Sequence, residues 1–227
     1  LGMPLIIISL LKIFNLKFYS KSIFDYVFVA ISLGLALLTF ARGGVMAPVF
    51  TFVFLYFISG RIKTYRFNYK EIFYLVTVLV GLYYFSSNFT KGMIDQRYTN
   101  LATIVNQDQG TISGRAKIMA LDFQIFRDNF LMGVGPGAAG DLRWKYGFGM
   151  RVGAHSEFTR MLAEHGLFGL ISLLSILLLS YNEYKKRVDF NRVFLASMSM
   201  LAILTMFHSA FRIALPGFIY GISYVIL

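Results

Sequence analysis

From Glu157 to Ser180 the chain reads EFTRMLAEHGLFGLISLLSILLLS. A helix needs about 20 mostly apolar residues to cross the hydrocarbon core of a bilayer, and this stretch supplies them. It follows a long polar segment, and it contains two glycines, Gly166 and Gly169, at a spacing that allows close helix packing. The stretch therefore predicts a transmembrane helix.

Apolar runs of comparable length occur elsewhere in the chain. The whole sequence is 57% hydrophobic and only 15% charged, against about 25% charged residues in a typical soluble domain. The membrane is thus the expected solvent for most of the chain. The further predicted spans are Ile23–Phe40, Val45–Ser59, Glu71–Phe89 and Val193–Ala210.

Shorter apolar segments at both ends predict helices that are cut. Leu1–Leu11 reads as the end of a span, and the run from Phe218 onward is too short to cross a bilayer by itself. The chain also begins without an initiator Met. We therefore expect a piece of a longer membrane protein, with its first and last helices truncated.

The polar stretch between the spans predicts a long extracytoplasmic loop at residues 87–156. Transmembrane helices are expected at residues 1–86 and 157–227. Within the loop, apolar residues at near-helical spacing predict an amphipathic helix over Ile112–Phe130, lying flat on the membrane or over the mouth of the bundle. The predicted fold class is all-α: a polytopic transmembrane helical bundle with a long extracytoplasmic loop containing an amphipathic helix.

Basic residues set the predicted orientation. The formal net charge is +11, and three short loops on one side of the predicted bundle are rich in Lys and Arg, which the positive-inside rule assigns to the cytoplasm. The positive charge therefore indicates topology and anionic partners, including membrane lipids, and not nucleic acid. The residues concerned are Lys12, Lys17, Lys21, Arg61, Lys63, Arg66, Lys70, Lys185, Lys186, Arg187 and Arg192.

His155 is the candidate catalytic residue. It stands directly before Ser156, a residue type that caps helix N-termini, at the point where the chain re-enters the membrane. A histidine in that place titrates close enough to neutrality to act as a general base. The alternative is an interfacial histidine that is hydrogen-bonded to a loop carbonyl.

Arginines supply the candidate binding residues. Arg42, between two apolar spans and before Gly43 and Gly44, is costly there unless it meets water, a carboxylate or an anionic ligand, or extends to the headgroups. Arg212 has the same two interpretations, and Arg115 is either a loop contact to an anion or a solvated residue. Glu164 is expected to form an ion pair with one of these arginines, a more ordinary role than catalysis.

Several motifs are absent from the sequence. It contains no Asp-x-Asp pair, no His-x-x-x-His, no phosphate-binding glycine loop followed by Lys-Ser or Lys-Thr, and no cysteine. These absences argue against metal-dependent nucleotide-sugar transferases, metalloproteases, P-loop ATPases and thiolate metal sites. We therefore predict no metal site and no cofactor.

Four sequence pieces stand in order between about Ile23 and the end of the chain. They are TFARGG at 39–44, SGR at 113–115, NFLMGVGPG at 129–137, and AHSEF at 154–158 leading to LAEHGLFG at 162–169. The last two pieces, joined by a loop of this length, are the more specific. With these pieces the chain resembles the O-antigen ligase and polymerase family of bacterial envelope biogenesis.

The resemblance implies an activity and its site. Proteins of the family move a glycan from a polyprenyl-diphosphate carrier to an acceptor hydroxyl, in glycan or lipid, at the extracytoplasmic face of the bacterial inner membrane. It implies that His155 activates the acceptor and that Arg42 holds the donor diphosphate, with Arg115 and Arg212 as weaker matches for that second role. Two positions depart from the common pattern, since Ser156 stands where Asn is frequent and Phe158 where Tyr is frequent.

Other functions stay open at this point. Within the family, the sequence does not separate a ligase from a polymerase, and we favour the polymerase slightly. Outside it, the chain fits part of a transporter or flippase for a lipid-linked glycan, or a structural membrane protein without activity. The scarcity of charge inside the predicted spans favours chemistry at the outer face over passage through the bundle.

Overall fold

The computed structural model describes a set of separate ranges of the chain. Within these ranges every regular element is a helix. The predicted all-α character is therefore confirmed for this part of the chain. The ranges are residues 6, 8, 22–38, 49–51, 53–54, 57, 69–95, 112–149, 151–207 and 214–226.

The helices at Ile23–Leu38 and Tyr69–Phe89 agree with the predicted spans to within two residues at each end, and the helix that begins at Glu157 continues six residues past the predicted end, to Lys186. The helix predicted over Val193–Ala210 begins four positions earlier and ends at Thr205. The last helix begins at Leu215, because Pro216 fits the first turn of a helix, and it ends at Ser223. The elements are α1 (Ile23–Leu38), α2 (Tyr69–Phe89), α3 (Ile112–Asp128), α4 (Ala139–Arg143), a π-helical turn (Trp144–Phe148), α5 (Glu157–Lys186), α6 (Asp189–Thr205) and α7 (Leu215–Ser223).

The chain divides into two compact units. The first comprises Leu1–Leu101, Tyr184–Ala202 and Phe218–Leu227. The second comprises Ala102–Glu183 and Ile203–Gly217. Most of the loop predicted at residues 87–156 lies in this second unit.

Helices α1 and α2 pack together in the first unit. A Cβ atom added at Gly34 would lie 3.4 Å from Leu82 Cδ2, so the missing side chain lets the two helices approach. Away from this contact both helices expose large apolar side chains, such as Phe24 at 79% and Phe73 at 67% exposure. Such surfaces are typical of helices whose solvent is lipid, because monomeric soluble proteins rarely expose contiguous apolar area of this size.

Helix α3 uses its apolar stripe inside the second unit. Ile118, Leu121 and Ile125 recur at helical spacing and are buried. Ile125 forms a small core with Ala139 of α4 and Ala163 of α5. The amphipathic helix predicted over Ile112–Phe130 is thus confirmed, two residues shorter at its end. The apolar face of this helix packs into a protein core.

Helix α5 bends sharply at Gly166. The backbone there has φ 57° and ψ −132°, a conformation outside the helical region, so Glu157–His165 and residues 167–186 are two helical segments across a kink. The prediction of a span over Glu157–Ser180 did not include this bend. A left-handed φ combined with this ψ is essentially restricted to glycine, which explains the residue found at the bend.

Helix α5 is long and apolar enough to cross a membrane, the one such helix among the described residues. Only 22% of its most apolar window is buried, unlike the core helix of a soluble protein. The 20 or so residues after Gly166 rise about 30 Å, the thickness of the hydrocarbon core. Three shorter apolar helices accompany it, at Ile23–Leu35, Val76–Phe89 and Phe190–Thr205.

Candidate functional site

His155 lies in a short extended segment that leads into α5. It is half-buried, between Ala154 and Ser156, each of which is 3% exposed. The carbonyl of Ser156 accepts the first helical hydrogen bond, from Arg160 N at 3.2 Å. Ser156 Oγ is buried and has no hydrogen-bond partner among the described residues, so the predicted side-chain cap is not formed.

A buried ion pair holds this segment. Asp122 of α3 is 0% exposed and Arg143, the last residue of α4, is 1% exposed. Arg143 Nε donates to Asp122 Oδ1 at 2.7 Å. Nη2 lies 2.7 Å from the same oxygen but lacks the direction of a hydrogen bond, so that contact is electrostatic. A carboxylate and a guanidinium without access to water are stable only as such a pair.

The same pair reaches both sides of His155. Arg143 Nη1 donates to the carbonyl of Val152 at 2.8 Å, three positions before the histidine. Thr159, four positions after it and 2% exposed, donates its hydroxyl to Asp122 Oδ2 at 2.7 Å. Burial raises the pKa of the Asp122 carboxyl, while Arg143 and the Thr159 hydroxyl oppose that rise. We call Asp122, Arg143 and Thr159 the clamp.

A second charged cluster occupies the first turns of α5. Arg160 bridges Glu157 at 2.6 Å and Glu164 at 2.9 Å, with its side chain 19% exposed and both carboxylates nearly inaccessible. The backbone N–H of Glu157 donates to the carbonyl of Met206 at 2.9 Å. Glu157 Oε1 is buried and accepts no hydrogen bond within the described part of the chain. This cluster fixes the start of the helix that follows His155.

The kink at Gly166 joins α5 to the turn after α3. In an unbroken helix Ala163 and Glu164 would offer their carbonyls to residues four positions on. Here Val134 N donates to Ala163 O at 3.1 Å and Gly135 N donates to Glu164 O at 2.9 Å. Leu167 N donates to Phe130 O at 2.7 Å instead. The groups freed by the bend are thus satisfied by the other segment.

Two glycines make this junction sterically feasible. A Cβ atom at Gly166 would lie 2.5 Å from Gly133 N, and a Cβ atom at Gly133 would lie 2.4 Å from the carbonyl carbon of Glu164. At Gly169 a Cβ atom would lie 2.0 Å from Met161 O. The close packing predicted from Gly166 and Gly169 is therefore found, with backbone as the neighbour. The two motifs NFLMGVGPG and LAEHGLFG meet at this junction.

Of the other predicted site residues, the structure describes Arg115 and Glu164. Arg115 is exposed on α3, two turns before Asp122, or roughly 10 Å along the helix axis. Glu164 forms an ion pair with Arg160 of its own helix, a partner that the sequence prediction did not name. Arg42 and Arg212 lie outside the described residues, as does most of the predicted span Val45–Ser59. Across the described ranges, no group of three or more His, Cys, Asp or Glu residues is arranged to hold a metal ion.

The sequence analysis missed the clamp and Arg160. Asp122 had a detectable signal, because a carboxylate falls on the apolar stripe formed by Ile118, Leu121 and Ile125. The Glu157, Arg160 and Glu164 spacing also predicts ion pairs, since residues three and four apart are neighbours on a helix. Arg143 gave no signal, because nothing local pairs it with a residue 21 positions away.

A model of a known family covers this site. Residues 27–174, more than half of the chain, match the family model described as O-Antigen ligase. The chain belongs to the O-antigen ligase family. The matched range includes His155, the clamp and the glycine junction, and proteins of this family are membrane proteins of the O-antigen ligase or polymerase type. The resemblance found in the sequence is thereby confirmed. No curated protein and no solved structure matches the chain.

Proposed function

We propose that the chain forms part of a membrane glycosyltransferase that moves a glycan from a polyprenyl-diphosphate carrier to an acceptor hydroxyl in surface polysaccharide or O-antigen assembly. The observation that carries the proposal is the setting of His155. It is half-buried and framed by a buried ion pair, in the segment just before the helix that holds the apolar run from residue 167. A base just before this helix suits a reaction between a lipid-linked donor and a water-exposed sugar.

The proposed reaction is one displacement at the anomeric carbon. His155 accepts the proton of the acceptor hydroxyl as its oxygen attacks that carbon. The bond from the anomeric carbon to the diphosphate oxygen breaks, and polyprenyl diphosphate leaves with the electron pair. One in-line displacement inverts the anomeric configuration, so a product that retains it contradicts this mechanism.

The leaving group needs positive charge. Guanidinium groups hold phosphate oxygens through paired hydrogen bonds and neutralise developing charge without a metal. Arg42, Arg115 and Arg212 are the proposed contacts to the diphosphate. Arg115 is exposed on α3 and thus accessible to a ligand. Glu164 serves the site through its ion pair with Arg160, which fixes the helix after His155.

The proposed topology follows the sequence prediction. Residues 1–86 and 157–227 form transmembrane helices of a polytopic bundle in the bacterial inner membrane, and residues 87–156 form a loop on the extracytoplasmic face. The exposed apolar surfaces of α1, α2 and α5 support the membrane setting. The basic residues at the cytoplasmic ends of the proposed spans support the orientation.

Transport of a lipid-linked glycan is the second candidate, and the distribution of charge disfavours it. The buried charges of α5, Glu157 and Glu164, precede the kink at Gly166. From Leu167 to Asn182 the helix contains no charged residue. Transporters usually place charged or broken-helix sites near the bilayer midplane, which this segment lacks.

The testing experiment uses the full-length protein with a polyprenyl-diphosphate-linked oligosaccharide, resolved on a gel. We expect His155→Ala to abolish product, since a general base contributes about 100-fold to 10,000-fold to rate. His165→Ala is the matched control, a half-buried histidine on the helix that follows His155, and it should keep activity.

The form of the product separates the remaining alternatives. A ladder of lengthening glycan identifies a polymerase, and a single shifted acceptor band identifies a ligase. Equal product from wild type and His155→Ala would remove His155 from the mechanism. No product from the wild-type protein, together with carrier-dependent movement of the glycan across vesicles, would favour the transporter.

A further inference from the structure

We infer that Asp122, Arg143 and Thr159 are positioning residues for His155, an inference that rests on the proposed function of that histidine. The ion pair of Asp122 and Arg143 is linked to both ends of the eight-residue segment Val152–Thr159, which has His155 near its middle. Arg143 donates to the Val152 carbonyl, and Thr159 donates to Asp122. None of the three side chains faces solvent, so none is available to touch substrate.

The clamp differs from an ordinary stabilising ion pair in what it connects. Asp122 lies on α3, Arg143 ends α4, and Thr159 lies in the first turn of α5. Each oxygen of the Asp122 carboxylate is directed to a different flank of His155: Oδ1 through Arg143 to Val152, and Oδ2 to Thr159. One carboxylate therefore fixes where the chain enters the histidine segment and where it leaves.

Residues 151–156 form no helix, and a glycine at 153 increases the freedom of the backbone. A misplacement of about 1 Å in a catalytic group can reduce rate about 100-fold, so holding such a segment is a functional requirement. The clamp holds the segment through buried residues that do not contact substrate.

The test removes one hydroxyl and keeps the ion pair. Thr159→Val in the full-length protein should lower kcat by about tenfold to 100-fold and leave the KM for the donor unchanged, because binding contacts are retained while alignment is lost. Thr159→Ser should restore kcat. Thr77→Val is the matched control, since the Thr77 hydroxyl is exposed and donates within its own helix, to Phe73 O.

A second readout does not depend on activity. The rate at which diethyl pyrocarbonate modifies His155, measured by mass spectrometry, should change about threefold or more in Thr159→Val, while His165 reacts as before. If this rate and kcat both equal those of wild type in a folded Thr159→Val protein, the positioning role is refuted. If His155→Ala is active but the modification rate still changes in Thr159→Val, the proposed catalytic role of His155 is refuted, while the positioning of His155 by the clamp is supported.

A separate observation concerns the turn after α3. Phe130, Leu131 and Met132 are 46%, 65% and 72% exposed, and together we call them the apolar tip. The Phe130 ring lies 5.3 Å from that of Phe126, but none of the three side chains belongs to the buried core formed by the described residues. Three consecutive exposed apolar residues are unfavourable in water.

The backbone of the tip is fixed beside the start of the apolar run of α5. Leu167 N donates to Phe130 O at 2.7 Å, and Phe168, the next residue, is 59% exposed. The exposed apolar surface of the tip is therefore continuous with that of the helix beyond Gly166. Arg127, one turn before the tip, has 80% of its side chain exposed, where it suits anionic headgroups.

We propose that the apolar tip inserts into the outer leaflet beside α5, with a lipid bilayer as its partner. A cysteine at position 131 (Leu131→Cys) can carry a fluorophore in a full-length protein without other cysteines, since this chain has none. Nitroxides on shallow acyl positions of bilayer lipids should quench it at least about threefold more than the same label at the exposed Lys117→Cys.

Two results would overturn this proposal. Quenching of both labels to the same extent would mean that α3 lies flat on the surface without a specific tip. Protection of the label at position 131 from both lipid nitroxides and aqueous iodide would mean that protein covers the tip. Repeating the quenching measurement in vesicles without anionic lipid separates insertion of the apolar tip from attraction of Arg127 to the headgroups.

Discussion

Helix α5 changes character at Gly166, and the two sides of that residue show what each region is built for. Before the glycine, the chain buries charge: Asp122, Arg143 and Glu157 are at most 1% exposed. After it, the helix exposes hydrocarbon, with Leu178 at 58%. A soluble protein shows the opposite arrangement. In the proposed function, the first region positions polar groups for chemistry and the second faces lipid.

The difference also concerns what limits stability. In the region before the kink, each buried charge depends on one specific partner, so the removal of a single group is costly. In the region after it, the proposed contacts with lipid are non-specific, so exchanging one apolar side chain for another should cost little. Substitutions should therefore have very different effects on the two sides.

The largest effect is expected at the junction that separates the regions. Gly166→Ala places a Cβ atom 2.5 Å from Gly133 N and 2.5 Å from Phe130 O, both of them backbone atoms. The junction cannot form without moving one segment, so we expect loss of folded, monodisperse full-length protein by size-exclusion chromatography. Gly81→Ala in α2 is the control, because a Cβ atom there meets nothing within 4 Å. A normal yield of Gly166→Ala would contradict the observed kink.

The next effect concerns the buried pair. Asp122→Leu leaves Arg143 charged and buried, and should reduce the free energy of unfolding by about 3–5 kcal/mol. Asp122→Leu with Arg143→Met removes both charges and should recover part of that loss, as a double-mutant cycle of thermal unfolding would show. The exposed pair of Asp141 and Arg151, 2.8 Å apart, supplies the control. Asp141→Leu should cost less than about 1 kcal/mol, and equal losses at the two pairs would argue against burial as the cause.

The sequence revealed one of these regions better than the other. The apolar run after Leu167 predicts a span from composition alone, because a bilayer selects for length and hydrophobicity. The kink was not predicted, since the helical pattern continues through Gly166 and only the contact with Gly133 makes the bend favourable. The clamp depends on residues 21 and 37 positions apart. Such pairs follow from the tertiary fold and not from local pattern.

A smaller effect tests which solvent the second region faces. Leu178→Asp, at an exposed site of α5, should have almost no effect if this face contacts water. If the face contacts lipid, the substitution should make the free energy of membrane insertion about 3 kcal/mol less favourable. The insertion efficiency of this helix in microsomal membranes measures the difference. Leu178→Met, which keeps the residue apolar, is the control. Unchanged insertion of the aspartate variant would place this face of α5 against water or a polar protein surface.

The smallest effect concerns a carboxylate at the end of α2, outside both regions of α5. Hydrogen bonds from Ser87 and Tyr83 lower the pKa of Asp95 below its ordinary value of 3.8. Because the folded-state pKa is depressed, the stabilisation is present above pH 3.8 and is lost as the pH falls through the folded value. We expect the Tm of wild type to exceed that of Ser87→Ala slightly at pH 6, and the difference to shrink as the pH falls below 3.8. A Tm difference that does not change with pH would show that Ser87 acts by packing, and that this half-buried carboxylate, unlike fully buried Asp122, contributes nothing through its charge.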